Sequence, residues 1–222
     1  MDKKVLIACE ESQRICCAFR DLGYEAYSCD IEPCGGNHPE WHIQQDVLPL
    51  LNGDCQFFTV DGTQHAIVGP WDLIIAHPPC TYLTTTGNRW FNEEKYGDKA
   101  RERKKLREEA ADFFMAFTNT TARHWAIENP VGYMNTHYRK PNQIIQPYEY
   151  GDPHRKKTCL WLSNLPNLIP TDIVEPELQY LKSGRTMDKE YSNAPKAERA
   201  KLRSRTYPGI AKAIAEQWSK VL

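Results

Sequence analysis

Three short polar stretches hold the residues able to do chemistry in this chain. The first is His77-Pro78-Pro79-Cys80. Two successive prolines fix the backbone and carry no amide hydrogen, so the cysteine after them stands on a rigid, projecting turn. A sulfur presented in this way packs a core poorly and suits a nucleophile. Its ordinary pKa of about 8.5 drops into a working range beside cations or helix-terminal amides. The second stretch is Ile127-Glu128-Asn129-Pro130. Glu128 follows apolar residues, so desolvation is expected to raise its pKa and leave it a proton to donate to a ring nitrogen. The third stretch, Ala8-Cys9-Glu10-Glu11-Ser12, is followed by Asp30 and Glu32. An acidic residue closing a second strand is well placed to bind the two hydroxyls of a ribose.

Taken singly, each has an ordinary structural reading. A free cysteine is most often a small buried hydrophobe, which is the reading for Cys9, Cys16, Cys17, Cys29, Cys55 and Cys159. Glu128 could be a strand-end cap, and the loop carboxylates could be solvated. Cys34, His38 and His42 recur at four-residue intervals, but Pro39 breaks a helix there and no fourth ligand is evident, so no metal is assigned.

The elements that must position these groups are legible as apolar runs. Residues 4–8, 25–29, 71–76, 124–128 and 157–162 read as strands, and residues 12–22 as a helix closed by Gly23. The Asp61-Gly62 pair between CQFFTV and TQHAIV predicts a two-residue hairpin turn. Residues 93–118 are expected to be mostly helical, first charged and then amphipathic through Ala110, Phe113, Phe114 and Phe117. Strand–helix–strand order predicts an α/β fold with a mostly parallel sheet and helices on both faces. A catalytic domain over 1–162, an irregular appendage over 163–201 and a closing helix within 202–222 complete the expected organisation.

Composition narrows the class. The chain has 222 residues, 41% apolar and 26% charged, which is ordinary for a globular domain. No apolar run approaches the roughly 20 residues that cross a bilayer, and the first residues lack the apolar length of a secretory signal. The expectation is therefore a cytoplasmic protein, of a prokaryote or a virus-infected host, with its eight cysteines reduced. With a formal net charge of −1, contact with nucleic acid must come from local basic clusters. The cluster at hand is KYGDKARERKKLR, with Lys99, Arg101, Arg103, Lys104 and Lys105 as candidate phosphate contacts.

The series VLIACEES, AYSCDIEP, DLIIAHPPC, WAIENPVG, YGDPHRKKTCLWL resembles, in order, the motifs of DNA cytosine-5 methyltransferases, and YPGIAKAIAEQW resembles their closing helix. The resemblance covers most of the chain and implies a Rossmann-like methyltransferase sheet. It makes Cys80 the nucleophile and Glu128-Asn129 the pair that grips the base, with Arg155 or Lys156 as the accompanying cation. It also implies S-adenosylmethionine as methyl source, held by Ala8, Cys9, Glu10 and Ser12, by Asp30 and Ile31, by Asp46 and Val47, and by His77 and Pro79. The partner it implies is DNA with a cytosine flipped into the site. Two motifs depart from the family. CEES stands where a glycine-rich loop is usual, and Thr158 stands where the second arginine of a Gln-x-Arg-x-Arg segment is usual. Only about 40 residues (163–201) are left for target recognition. The alternatives are thus a protein partner for sequence specificity, a free cytosine nucleotide or RNA as substrate, or a non-catalytic nucleic-acid- or nucleotide-binding relative.

Overall fold

Short β-branched and aromatic runs bounded by Gly, Pro and Asp build the centre of the molecule. The computed structural model describes residues 3–180, 184, 186–188, 195, 202 and 204–222. Among these, seven strands form one sheet: β1 (Lys4–Ala8), β2 (Glu25–Asp30), β3 (His42–Gln44), β6 (Leu73–Ala76), β7 (His124–Pro130), β8 (Gln143–Ile145) and β9 (Thr158–Ser163). Two hairpins stand outside it, β4 (Cys55–Phe58) with β5 (Gln64–Ile67), and β10 (Leu178–Tyr180) with β11 (Thr186–Asp188). The sheet order is β3-β2-β1-β6-β7-β9-β8. The first five strands are mutually parallel, and β9 runs antiparallel to both of its neighbours.

The order reverses between β1 and β6, so the loops leaving these two strands splay apart at their carboxyl ends. Open α/β sheets bind ligands at such a switch point. Helix α1 (Arg14–Asp21) and the closing helix α5 (Pro208–Trp218) cover one face, with Val5, Ile7, Leu73, Ile75, Ala126 and Leu160 beneath them. Helix α3 (Asp98–Ala116) covers the other, its Ala111 and Phe114 packing with Leu6, Ile74, Ile127 and Trp161. The sheet is thus clothed on both sides, as a mostly parallel sheet must be.

Several expectations need correction. The Asp61-Gly62 hairpin closes through a longer loop, with the Thr59 amide donating to the Thr63 carbonyl and Gly62 in the left-handed region at φ 87°. Strand β7 does not stop at Asn129-Pro130 but includes both, because Pro130 lies at the end of its pairing with β9 and interrupts no ladder beyond it. The helix expected over 93–118 is broken at Gly97, which takes φ 52° between α2 (Glu93–Tyr96) and α3. The described part of 163–201 holds the β10–β11 hairpin; the rest of that expectation lies outside the described residues. All eight cysteines are free thiols. Among the described residues no helix is long and apolar enough to cross a membrane.

Candidate functional site

Period-two alternation places the acid. Ile75 on β6 is in register with Ala126 on β7, and both face α5. Two residues further along each strand, His77 and Glu128 emerge on that same face, and His77 Nδ1 lies 3.2 Å from Glu128 Oε2. The carboxylate can only accept, so Nδ1 carries the hydrogen and donates. Asn129 alternates to the opposite face. It is 1% exposed, and its Nδ2 donates to the Pro78 carbonyl at 2.8 Å. Asn129 therefore braces the Pro-Pro turn that presents Cys80, a positioning task rather than a grip on substrate.

A second latch lies beyond both turns. The Tyr133 amide donates to the Leu83 carbonyl at 2.7 Å, and Thr84 forms an isolated bridge with Gly132. The approach is so close that a Cβ on Gly132 would sit 2.0 Å from the Leu83 carbonyl oxygen. Gly132→Ala is expected to destabilise the protein by about 1–3 kcal/mol and to loosen the Cys80 turn. Thermal unfolding, with the alkylation rate of Cys80, measures both; an unchanged melting temperature and rate would remove the latch from this account.

The charges around the two groups are coupled. Cys80 is exposed, yet burial by its surroundings and the negative charge of Glu128 push its thiol up, against the pull of Lys156. Burial also pushes Glu128 up, but the Lys156 charge, the His77 hydrogen bond and the Thr158 hydroxyl outweigh it and leave the carboxyl below its usual range. Glu128 is thus an ionised acceptor at rest, contrary to the protonated donor expected from its apolar neighbours. Thr158, whose hydroxyl donates to the Lys156 carbonyl at 3.2 Å, lies beside this carboxylate and helps to hold its pKa down.

Of the two candidate cations only Lys156 belongs to the site. Arg155 is turned to the β10–β11 hairpin, its guanidinium donating to Thr186 Oγ1 at 2.8 Å and its amide to Asp188 Oδ2 at 2.8 Å. The role expected for Arg155 beside the base is therefore corrected.

On the β1 side, Glu10 is 3% exposed and its carboxylate accepts from the Ile15 and Cys16 amides at 2.8 and 3.2 Å. It caps the first turn of α1 and does not face outward as a ligand contact, which corrects its assignment. Cys9 and Gln13 take φ 58° and 57°, so CEESQ keeps a backbone that glycine adopts freely, at a strain of about 1–3 kcal/mol each. Val47 is likewise corrected: its side chain is in the core. Ala8 is fully buried, whereas Ser12 is half-buried and Pro79 exposed. Asp30 is pushed up by burial, with the Glu32 amide donating to its Oδ1, and Ile31 stands 72% exposed beside it. Asp30 and Asp46 both act on the Cys9 thiol, after burial, so these three groups share one region.

Gln13 is the residue that sequence reasoning missed. Fully buried, it donates to Ser28 Oγ and the His38 carbonyl and accepts from the His38 amide and the Cys34 thiol. Ser28 in turn meets His42 Nδ1 at 2.9 Å, and His42 Nε2 lies 3.2 Å from the Glu32 carbonyl. A carbonyl only accepts, so Nε2 carries the hydrogen. Burial holds the His42 pKa low, which suits that neutral tautomer. This chain ties the β1–α1 loop to the Asp30-Ile31-Glu32 loop. The one available signal was a polar residue just ahead of a helix, which reads equally as an N-cap.

The basic segment is also repositioned. Arg103 donates to the Thr81 carbonyl and Arg107 to the Tyr82 carbonyl, and both guanidinium groups lie over Phe91. They anchor the segment that follows Cys80, so Arg103 is corrected from phosphate contact to loop anchor. Arg101 pairs with Asp98 and Glu93, Lys104 with Glu93, and Lys105 with Glu109, all at the surface. Such pairs are worth little and exchange readily. Lys99 is exposed.

Beneath α5, a cavity with about 20 Å³ of free space opens behind the His77–Glu128 pair. Ile75, Ala126, Leu160, Ile210 and Trp218 supply its apolar wall, and His77, Glu128, Lys156, Thr206 and Tyr207 its polar one. The chain is an α/β protein whose central sheet carries this site at the carboxyl ends of β6 and β7. Neither a family model nor a curated protein matches it.

Proposed function

We propose that the chain transfers a methyl group from S-adenosylmethionine to carbon 5 of cytosine in DNA, through a transient bond from Cys80 to carbon 6. What carries this reading is the double latch that sets a projecting thiol and a half-buried carboxylate at the ends of adjacent strands. They are close enough for the Glu128 charge to act on the ionisation of Cys80.

The switch-point loop fits the cofactor in a specific respect. A helix N-terminus there ordinarily draws a phosphate. Here Glu10 already fills that place at α1, which disfavours a dinucleotide and suits a nucleoside without phosphate. Asp30 would bind the ribose hydroxyls and exposed Ile31 would lie against the base. When bound, S-adenosylmethionine supplies an electrophilic methyl group.

The chain's own residues do the rest. Carbon 5 of cytosine is a weak nucleophile until the Cys80 thiolate adds to carbon 6 and makes the ring enamine-like. Glu128 accepts from the exocyclic amino group. With a proton on its other oxygen it neutralises the charge developing at ring nitrogen 3. That proton also removes the negative charge opposing the Cys80 thiolate, while Lys156 remains to favour it. After transfer, water takes the carbon 5 proton and the thiol leaves.

Mass spectrometry of nucleosides from DNA incubated with the chain and S-adenosylmethionine should show 5-methyldeoxycytidine. Unmodified product across varied DNA, RNA and free deoxycytidylate would overturn the reading. A free nucleotide or RNA is the second reading. The free nucleotide draws support from Arg103, which is spent on the Thr81 carbonyl rather than offered to a phosphate backbone. The same assay separates the three substrates.

A further inference from the structure

Glu128 must acquire a proton before it can serve ring nitrogen 3, yet its surroundings hold it ionised at rest. Two buried atoms bear on where that proton comes from. His77 Nδ1 donates to Glu128 Oε2 at 3.2 Å, which leaves Nε2 as the ring atom that can exchange a proton on the far side. That Nε2 is buried and meets no hydrogen-bond partner in the protein. The His77 side chain is 9% exposed and lines the cavity beneath α5. At about 20 Å³ the cavity exceeds the roughly 10–15 Å³ that admits one water. Thr206, Tyr207 and Lys156 give such a water further polar partners.

We infer that His77 is a positioning and proton-relay residue, which loads Glu128 from solvent through a water in this cavity. This rests on the proposed pyrimidine chemistry. In the relay, a solvent proton carried by the water arrives on Nε2 as the Nδ1–H bond breaks and an Oε2–H bond forms on Glu128. The imidazole carries the same number of hydrogens before and after, one having moved from Nδ1 to Nε2, and one solvent proton has been taken up. Running backwards after the thiol leaves, the same path returns that proton and resets the ring. The charged and titratable groups facing His77 are Glu10 from the β1–α1 loop and Glu128 from β7, with Lys156 ahead of β9 and Tyr207 ahead of α5 on the cavity wall.

The test is His77→Asn, whose side-chain amide keeps a donor near the position of Nδ1 and passes no proton. Its melting temperature and KM for DNA should match wild type, while kcat falls 10- to 100-fold and its pH profile changes shape. Added imidazoles should restore the rate in proportion to their basicity, which a merely structural loss would not show. A His77→Asn enzyme with wild-type kcat and pH profile overturns the relay alone. So does a loss that imidazoles do not restore. A wild-type chain that modifies no cytosine fails at the earlier step, the reading on which the relay rests.

Discussion

Cys80→Ala is expected to abolish methyl transfer, with kcat falling on the order of 10⁴-fold or more, and to leave the fold intact. Cys80 is exposed and belongs to neither apolar cluster, so truncating it opens no cavity. The covalent step can be read directly. Cytosine bearing fluorine at carbon 5 has no proton there to lose, so the adduct to carbon 6 cannot eliminate. Wild-type chain with a fluorocytosine oligonucleotide and S-adenosylmethionine should give a protein–DNA conjugate of the summed mass plus one transferred methyl group, mapping to the peptide that holds Cys80. Cys80→Ala should give none. An adduct on another cysteine, or a variant that retains a tenth of the activity, would break the assignment. Cys16, Cys29 and Cys159 are poor substitutes because they are buried, whereas the Cys80 sulfur is exposed and open to a base.

Much of this arrangement is readable from residue order, and the unreadable parts have physical reasons. The apolar runs that become β1, β2, β6, β7 and β9 stand out because buried strands of a clothed sheet are nearly continuous in hydrophobic residues. β3 and β8 are three residues each, shorter than any period can reveal. His77 and Glu128 share a face by simple alternation, so their meeting was within reach once β6 and β7 were taken as neighbours. The ionisation of Glu128 was not. Its apolar strand argues for a raised pKa, and only the folded chain brings Lys156, just ahead of β9, and Thr158, its first residue, to reverse that. Glu10 and Arg103 failed for a related reason. Both are charged residues in motif positions, and sequence cannot distinguish a charge aimed at a ligand from one spent on an internal amide or carbonyl.

The convergence of thiol and carboxylate can be tested even with no substrate present. Because the Glu128 charge raises the Cys80 thiol, Glu128→Gln should move the pH midpoint of Cys80 alkylation down; because Lys156 lowers it, Lys156→Met should move it up. The two variants should thus shift one titration in opposite directions, which neither a general loosening of the fold nor a change in access would do. In catalysis, Glu128→Gln should cost 10²- to 10⁴-fold in kcat, since an amide keeps the shape but carries no proton that it can pass to ring nitrogen 3. Stability carries a matching sign. A carboxyl held below its usual range contributes stability that is present at neutral pH and is lost as pH falls through the folded-state value. Wild type should lose that part in acid, and Glu128→Gln, lacking it already, should show a shallower acid limb. If both variants leave the Cys80 midpoint where it stands in wild type, the sulfur and the acid do not share a site, and the covalent mechanism loses its geometry.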